Sequence, residues 1–278
     1  MLVLYPGSLL RNTRVDEFFE EEYISTSNHF NTCLVDQNDF HITKGKNLIE
    51  RENVLYRGWI VTPEQYNNIY QDVKRHNGNL VVSPEEYQFS QFNRSAYGIN
   101  GWTEAFSDFT PRTILFDYDA VIDVDDVSRV FQYPLVIKGS SKSVKHDWDN
   151  AMFIKNKDDF YRVVDNYKKH VNKDEDDVIM IREFEDFVPD EEYRLWFYKG
   201  KLAHIELHDL CSGEIDNRNK VQYKAKTIIS EVEDFATKNN IKLLTVDLAK
   251  SISGNYRVLE CGSGMVSGSR DQFVDIIR

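Results

Sequence analysis

The sequence is poor in cysteine, with three residues (Cys33, Cys211 and Cys261) scattered along 278 positions. Cysteines so few and so widely spaced exclude a disulfide framework and argue against a zinc site. The chain also lacks any run of about 18 apolar residues, the length a membrane-spanning helix needs, so we expect no transmembrane segment. Met1–Glu22 has no basic start and turns acidic quickly, which is unlike a signal peptide. These absences predict a protein of a reducing compartment, the cytoplasm.

Positive charge is scarce as well, because 34 Lys and Arg face 46 Asp and Glu, a net charge of −12. Each phosphate contact of a nucleic-acid-binding protein needs a cation, so general binding to DNA or RNA is disfavoured. The same deficit disfavours docking on anionic membranes. A composition of 41% hydrophobic and 29% charged residues is typical of a soluble globular protein. The acidic surface weakly favours a cationic or amine-bearing partner.

Strand and helix signals alternate in the first part of the chain. Val54–Val61 reads as a buried strand, and Thr62 then caps a helix that has Pro63 at its first position. Leu80–Val82 is the next strand, and a second helix start follows it. This alternation predicts a parallel α/β unit.

The later part of the chain has a different character. From Val178 onward strands dominate, with one predicted helix at about Gln222–Asn239. The sequence therefore predicts a small α/β domain over residues 1–110 and a larger α+β domain over residues 111–278. Residues 1–53 carry no pattern that assigns them to an element.

One stretch concentrates cations in this acidic chain. Residues 138–146 hold three lysines and a histidine, separated by small residues and with no acid. A predicted strand delivers Lys138 to this loop, whose backbone N–H groups and hydroxyls can face phosphate oxygens while the lysines supply charge. The spacing is not that of a Walker A motif. On composition alone, a solvated surface loop is the simpler interpretation.

A second candidate site lies in a predicted hairpin over residues 243–261. If Ser253 and Gly254 form a two-residue turn, Asp247 lies directly opposite Glu260. Facing carboxylates about 5 Å apart at Cβ repel each other, and their apolar neighbours would screen that repulsion poorly. A hard divalent metal between them fits best. A proton shared by the two carboxyl groups is an alternative, and a shifted register would send both side chains to solvent.

A third candidate is a predicted hairpin with a three-residue turn at Lys199–Lys201, in which Arg194 faces Glu206. Its polar face carries Glu192, Arg194, His204, Glu206 and His208. An arginine there can grip phosphate through two parallel hydrogen bonds. An exposed sheet face with ordinary charge pairs is the alternative. A metal pair of His204 and His208 is disfavoured because no third ligand is evident.

These stretches, in this order, resemble the ATP-grasp superfamily, and within it the R-two-K clade of bacterial and phage proteins. The resemblance runs from about residue 54 to residue 268. Each motif is short, and it is their order and spacing that make the resemblance specific. The motifs are Tyr56–Trp59, Thr62–Tyr66, Ser83–Glu85, Lys138 with Lys142–Trp148, Arg182–Phe184, Glu192–Arg194, and the hairpin from Asp247 to Glu260.

The resemblance implies a fold and a set of site residues. The fold is α+β: two subdomains, about residues 111–182 and 183–278, clasp ATP after a small α/β N-terminal domain. The implied ATP-binding residues are Lys138, Ser140, Ser141, Lys142, Ser143, His146, Arg182, Glu183 and Phe184. The implied catalytic residues are Arg194, Lys142 and Lys145, with Arg194 reaching the transferred phosphate, and the implied Mg²⁺ ligands are Asp247 and Glu260.

The activity that the resemblance implies is ATP- and Mg²⁺-dependent ligation of a carboxylate to an amine through an acyl-phosphate. The carboxylate would belong to a small molecule or a peptide, with no nucleic acid or membrane involved. An ATP-binding interaction module without turnover is an alternative. A hydrolase that uses Asp247 and Glu260 is a third hypothesis, and it leaves the lysine-rich loop unexplained.

One position departs from the superfamily pattern, which usually ends the metal strand as Glu-x-Asn. Gly262 occupies the place of that Asn and has no side chain to bind a second metal. Glu260 alone, Ser263 or additional water could hold the second ion, or only one metal binds. The Gly-Ser-Gly run at 262–264 could also let a substrate approach the backbone closely.

The N-terminal domain offers candidates for the wall that binds the acceptor: Tyr56, Arg57 and Trp59. A simpler interpretation places the two aromatic side chains in the core and pairs Arg57 with a nearby acid.

Overall fold

The computed structural model describes residues 1–141, 143–173, 178–209, 211–212, 218–269 and 273–278. Within these ranges the chain forms three β-sheets with helices packed around them. No helix in the described part of the chain is both long enough and apolar enough to cross a membrane.

The first sheet belongs to the N-terminal part of the chain. Its strands are β1 (Leu2–Pro6), β2 (Asn31–Val35), β3 (Ile42–Lys44), β4 (Asn53–Tyr56) and β5 (Asn79–Leu80). They lie in the order β3-β2-β1-β4-β5, parallel except for β3. Every residue of the central β1 is buried, as expected of a parallel strand covered on both faces. The unassigned N-terminal segment thus supplies β1, β2 and β3.

Helices and short turns lie between these strands in the chain and after the last of them. The helices are α1 (Glu20–Ser27), α2 (Pro63–Arg75), α3 (Pro84–Phe92) and α4 (Trp102–Ala105), with 3₁₀ turns at Glu17–Phe19 and Lys46–Leu48. The predicted start of α2 is confirmed: the Thr62 hydroxyl accepts from the Gln65 N–H, and the Gln65 side chain accepts from the Thr62 N–H. The strand predicted over Val54–Val61 ends earlier, at Tyr56.

The second sheet contains β6 (Thr113–Asp117), β7 (Leu135–Gly139), β8 (Phe153–Ile154) and β9 (Val178–Glu183). The strands are antiparallel in the order β6-β9-β7-β8. Helices α5 (Val124–Val130) and α6 (Phe160–His170) accompany it, with 3₁₀ turns at Lys145–Asp147 and Lys157–Asp159 and a π turn at Trp148–Met152. Along β7 burial alternates, so Val136 and Lys138 lie on the face away from the core.

The third sheet contains β10 (Phe187–Tyr198), β11 (Lys201–Leu207), β12 (Leu243–Ser251) and β13 (Tyr256–Ser263). The strands are antiparallel in the order β11-β10-β12-β13. Its helices are α7 (Arg218–Lys224), α8 (Lys226–Lys238) and α9 (Phe273–Ile276). The single helix predicted over Gln222–Asn239 is therefore two helices, divided at Ala225.

The hairpin of β12 and β13 confirms the predicted pairing of Asp247 with Glu260, although the predicted turn is wrong. The ladder ends at the pair Lys250–Tyr256, so the connection is longer than Ser253-Gly254. A register shift after Asp247 leaves Leu259 as an extra residue on β13. This bulge offsets the longer turn by one residue and brings the two carboxylates opposite each other.

The hairpin of β10 and β11 shows the same compensation. Arg194 pairs with Glu206, as predicted, yet the turn has two residues, Lys199 and Gly200, because Tyr198 pairs with Lys201. A register shift between Trp196 and Phe197 restores the predicted pairs farther from the turn, including Arg194 with Glu206. Gly200 has φ +75°, the left-handed region that this tight turn requires.

A buried carboxyl group joins the N-terminal part of the chain to the third sheet. Glu86 of α3 is 2% exposed, and its Oε1 accepts from the backbone N–H groups of Lys242 (2.7 Å) and Leu243 (2.9 Å) at the start of β12. Burial raises the pKa of Glu86 to about 8, against the lowering effect of these two hydrogen bonds. Glu86 is therefore largely protonated at neutral pH.

The raised pKa makes folding stability depend on pH. Because it lies above the ordinary value of 4.5, the contribution of Glu86 is complete at low pH and is lost as the pH rises through about 8. In Glu86→Gln the amide oxygen keeps both acceptor contacts, so we expect this variant to lose less stability than the wild type as the pH rises. The free energy of unfolding of the wild type, measured by urea denaturation, should fall by up to about 1.4 kcal/mol more per pH unit than that of the variant, up to the pKa of Glu86.

Glu85→Gln is the matched control, because Glu85 is the exposed neighbour on the same helix. This variant should follow the wild type across the pH series. Equal slopes for the wild type and Glu86→Gln would contradict the assignment of the pH dependence to Glu86.

Candidate active site

A cleft of about 440 Å³ opens where the second and third sheets meet. This volume is within the range of small-molecule sites. Its walls come from β7, from the turns at residues 143–152, from β9 and the segment after it, and from β10 and β13. Seven residues predicted for the site line it: Lys138, Ser143, Lys145, Arg182, Glu183, Phe184 and Glu260.

Lys138 connects the two sheets across this cleft. Its backbone belongs to β7 of the second sheet, and its Nζ donates to Oε2 of Glu260 on β13 of the third sheet at 2.7 Å. The lysine side chain is largely buried, whereas Glu260 is partly exposed. A charge-assisted contact of this kind is among the stronger hydrogen bonds in proteins.

Arg194 pairs with the second carboxylate, Asp247. Its Nε and Nη2 donate to the two carboxylate oxygens at 2.9 and 2.8 Å, a bidentate contact between β10 and β12. Its Nη1 donates to the backbone oxygen of Gly268 at 2.8 Å. Burial raises the pKa of Asp247, but the charge and hydrogen bonds of Arg194, followed by His208, hold it below its ordinary value. Asp247 is therefore ionised at neutral pH.

The cation predicted to lie between Asp247 and Glu260 is thus supplied by the protein itself. Each carboxylate has its own basic partner, Arg194 or Lys138. This pairing with two separate cations disfavours the alternative of a proton shared by the two carboxyl groups.

His208 and Glu192 complete the surroundings of Arg194. His208 Nε2 lies 2.9 Å from Arg194 Nη2, 3.4 Å from Asp247 Oδ2 and 3.7 Å from Glu192 Oε1. A guanidinium only donates hydrogen bonds, so this contact requires a lone pair on Nε2. Burial lowers the pKa of His208, while its hydrogen bond to Asp247 and the nearby carboxylates raise it by more. A proton on Nε2 and the Arg194 contact therefore exclude each other.

Arg182, implied by the resemblance to bind ATP, is used mainly in contacts within the protein. It is 6% exposed, its Nε donates to the Thr113 hydroxyl at 3.0 Å, and its Nη1 donates to the Leu259 backbone oxygen at 2.8 Å. Its guanidinium lies over the Trp102 ring, and Nη2 has no hydrogen-bond partner among the described residues. Burial lowers its pKa to about 10, so it remains cationic at neutral pH. Arg182 holds β13 against β6, and its Nη2 remains without a partner among the described residues.

The lysine-rich loop is only partly at the cleft. Ser143 and Lys145 line it, whereas Ser140, Ser141 and His146 do not. His146 instead packs its ring edge-on against His170, 5.3 Å between centroids. Lys142, predicted to be both a binding and a catalytic residue, lies outside the described residues.

The predicted hinge at Glu183 and Phe184 lies on the cleft wall, but its backbone donors are already used. The Glu183 N–H donates to Arg112 O at 3.0 Å, and the Phe184 N–H donates to Pro134 O at 3.3 Å. A ligand at this edge would therefore meet side chains and carbonyl groups of these two residues. The Phe184 ring packs edge-on against Phe153, which stacks with Trp148.

Gly262 lies where the departure from the family pattern was noted. A Cβ atom at this position would be 3.0 Å from Thr245 Oγ1 and 3.2 Å from Ser267 Oγ, so a side chain here would require these hydroxyl groups to shift by a few tenths of an ångström. Ser263 is fully buried, its hydroxyl has no partner in the described part of the chain, and strand alternation turns it away from the face of Glu260. Ser263 is therefore not the substitute metal ligand that the sequence allowed.

The glycine run also differs from its predicted use. A Cβ atom on Gly264 would lie 2.7 Å from Cγ of Leu243 and 3.1 Å from the Trp196 ring. Close packing against the third sheet, and not the approach of a substrate, is what this glycine permits.

The N-terminal residues that were candidates for the acceptor wall have mostly structural roles. Arg57 is 4% exposed, forms a bidentate ion pair with Glu22, and donates to backbone oxygens of residues 264, 265 and 267. Tyr56 is in the core, as the simpler interpretation had it, but Trp59 is 40% exposed and packs against Phe18. Arg57 thus anchors the segment after β13 and does not line an acceptor wall.

Sequence reasoning missed several cleft residues. Trp148 and Met152 lie in the π turn that follows the lysine-rich loop, and Phe187 starts β10. The signal for Trp148 was present, since an aromatic side chain directly follows a cationic loop. No local pattern marked Met152 or Phe187.

Comparison with known proteins identifies the family. Residues 122–277 match the ATP-grasp domain, R-two-K clade family 3. No curated protein resembles the chain closely enough to count as a match.

Several solved structures share the fold. A RimK domain ATP-grasp protein from Sphaerobacter thermophilus is 12% identical (TM-score 0.60, 99% of this chain and 96% of that one). D-cycloserine synthetase is also 12% identical (TM-score 0.62, 99% and 97%). D-alanine–D-alanine ligase from Bacillus anthracis, solved with ATP, is 14% identical (TM-score 0.58, 95% and 85%). The α+β ATP-grasp fold is thereby confirmed. Since the family match spans more than half of the chain, this protein belongs to family 3 of the R-two-K clade of ATP-grasp domains.

Proposed function

We propose that this protein is an ATP-dependent ligase that joins a carboxylate to an amine through an acyl-phosphate. The observation that carries the proposal is the Lys138–Glu260 contact, which places a strand lysine of one sheet and a carboxylate of another at the mouth of the same cleft. Family membership and ligase relatives such as D-alanine–D-alanine ligase support the reaction class.

The side chains of the cleft fit ATP in their chemistry. Phe184, Trp148 and Met152 offer apolar surface for a purine, and Lys138 and Lys145 offer charge for phosphates. Glu260 in the cleft and Asp247, which lies opposite it on β12, supply the oxygen ligands that Mg²⁺ prefers, and each already binds a cation in this structure. Mg²⁺ held there would neutralise part of the triphosphate charge.

The chemistry would proceed in two balanced steps. The substrate carboxylate attacks the γ-phosphorus, and the electron pair of the breaking bond leaves with ADP. The amine nitrogen then attacks the acyl carbon, gives up a proton and expels inorganic phosphate. Arg194 and the lysines act by positioning the reacting groups and by stabilising negative charge on the transferred phosphoryl group.

Binding of the nucleotide would exchange ion pairs. Lys138 and Arg194 are held by Glu260 and Asp247 before ATP arrives. Phosphate oxygens can take over both cations, which leaves two carboxylates free for Mg²⁺. Nucleotide and metal should therefore strengthen each other's binding. The nucleotide draws the two cations away from the carboxylates that bind the metal, and the metal occupies the carboxylates that would otherwise hold the cations.

A nucleotide-binding module without turnover is the second candidate. The specific observation in its favour is Gly262, which has no side chain at the position that the superfamily uses for a second metal. A site with one metal would bind ATP and stabilise the transferred phosphate less well.

Lys138→Gln tests the nucleotide site. Loss of a charged hydrogen bond to phosphate is worth about 1.5–3 kcal/mol, so ATP should bind at least about tenfold more weakly in calorimetry with Mg²⁺ present. Lys155→Gln is the control, since Lys155 is exposed and does not line the cleft. ATP binding of wild-type strength by Lys138→Gln would remove the basis of the proposal.

Glu260→Gln tests the exchange of ion pairs. This variant releases Lys138 and removes a metal ligand, so ATP binding in EDTA should become severalfold tighter while the gain on adding Mg²⁺ shrinks. Coupling of this kind is typically about 5–150-fold. Glu185→Gln is the control, because Glu185 lines the same cleft but pairs with Arg257. An unchanged Mg²⁺ effect in Glu260→Gln would contradict the exchange.

Trapping with hydroxylamine tests the ligase reaction without knowledge of the amine. Hydroxylamine should convert an acyl-phosphate into a hydroxamate, with one ADP released for each hydroxamate formed. The assay would screen amino acids, hydroxy acids and short peptides with ATP and Mg²⁺, with Lys138→Gln as the inactive control. Tight ATP binding with no ADP from any acid would favour the binding module.

A further inference from the structure

Three potential metal ligands, one of them shared with the Asp247–Glu260 pair, converge on one face of the third sheet. They are Glu192 on β10, His208 just after β11, and Asp247 on β12, and one ligand atom of each lies within 4.8 Å of the other two. His208 Nε2 is 3.4 Å from Asp247 Oδ2 and 3.7 Å from Glu192 Oε1. Ligand atoms about 2.1 Å from a tetrahedral metal ion lie about 3.4 Å apart. Small side-chain movements would therefore complete a coordination shell.

The cluster is built to hold a cation. Asp247 and His208 are buried and Glu192 is partly buried, and an ionised carboxylate in such a place needs a positive partner. In this structure the partner is the guanidinium of Arg194, which contacts both Asp247 and His208. His208 Nε2 is directed at the cluster, and without its proton this nitrogen offers the lone pair that a metal ion binds.

We propose that Glu192, His208 and Asp247 form a binding site for a divalent transition-metal ion such as Mn²⁺, Co²⁺ or Zn²⁺. The ion competes with the Arg194 guanidinium for Asp247 and His208 and displaces it, and a phosphate that holds Arg194 would favour the exchange. One side of the Asp247 carboxylate then faces Glu260, and the other side faces this site. The imidazole nitrogen gives the site a preference for these ions over Mg²⁺, which favours oxygen ligands.

The proposed site would supply ligands for a second metal in place of the side chain that Gly262 lacks. Gly262 has no side chain to bind a metal, and a Cβ atom there would lie 3.0 Å from Thr245 Oγ1 and 3.2 Å from Ser267 Oγ. Glu192 and His208 stand on the opposite side of Asp247, on the neighbouring strand and the residue that follows β11. A second metal is then held by ligands from β10 and β11 and not from β13.

Electron spin echo spectroscopy of bound Mn²⁺ tests the site directly and needs no ATP, so its outcome is independent of the proposed ligase function. The full chain with Mn²⁺ should show nitrogen modulation from an imidazole ligand. His208→Gln should lose the modulation and bind Mn²⁺ at least about tenfold more weakly. His204→Gln, a histidine change on the same hairpin, should keep both.

Arg194→Gln provides a second measurement. Removal of the competing guanidinium should tighten Mn²⁺ binding at least about tenfold and restore thermal stability when Mn²⁺ is added. Bound Mn²⁺ without nitrogen modulation, in the wild type and in Arg194→Gln, would show an oxygen-only site and overturn the proposal. Modulation that persists in His208→Gln, or no Mn²⁺ bound by either protein, would overturn it as well.

Discussion

Two carboxylates on adjacent strands impose the constraint from which the site is built. Asp247 and Glu260 face each other across β12 and β13, and their repulsion in a partly buried setting must be balanced. One cation comes from β10 of the same sheet and the other from β7 of the second sheet. The second sheet is therefore tied to the third by the same charge that a nucleotide would need. Removing either partner would leave an uncompensated charge near the cleft.

The arrangement explains how one set of side chains can serve two states. Before a nucleotide binds, Lys138 and Arg194 neutralise the carboxylates and the sheets are held together. In the proposed nucleotide-bound state, the same cations would face phosphate and the carboxylates would face metal. His208 and Glu192 extend the network beyond Asp247, so the buried negative charge is shared among several neighbours.

The sequence predicted the site better than it predicted the loops around it. Both hairpins have the expected facing pairs, Asp247–Glu260 and Arg194–Glu206, yet both predicted turns are wrong by one residue. A bulge offsets the error in each, and strand alternation cannot reveal a bulge because it depends on packing from elsewhere in the fold. The roles of Arg57 and Glu86 were also beyond reach. Their partners lie 35 to more than 200 residues away in the chain, where no local spacing connects them.

The anchoring of Arg57 has a consequence for how this protein can be rearranged. Arg57 leaves β4 of the first sheet and grips backbone oxygens at 264, 265 and 267, and the next residue, Gly268, accepts from Arg194. The N-terminal sheet therefore shapes the setting of Arg194 through a few carbonyl groups. A chimera that received the first sheet of another protein would need to carry the matching segment after β13 with it. These two parts of the sequence, far apart in the chain, would have to be exchanged together.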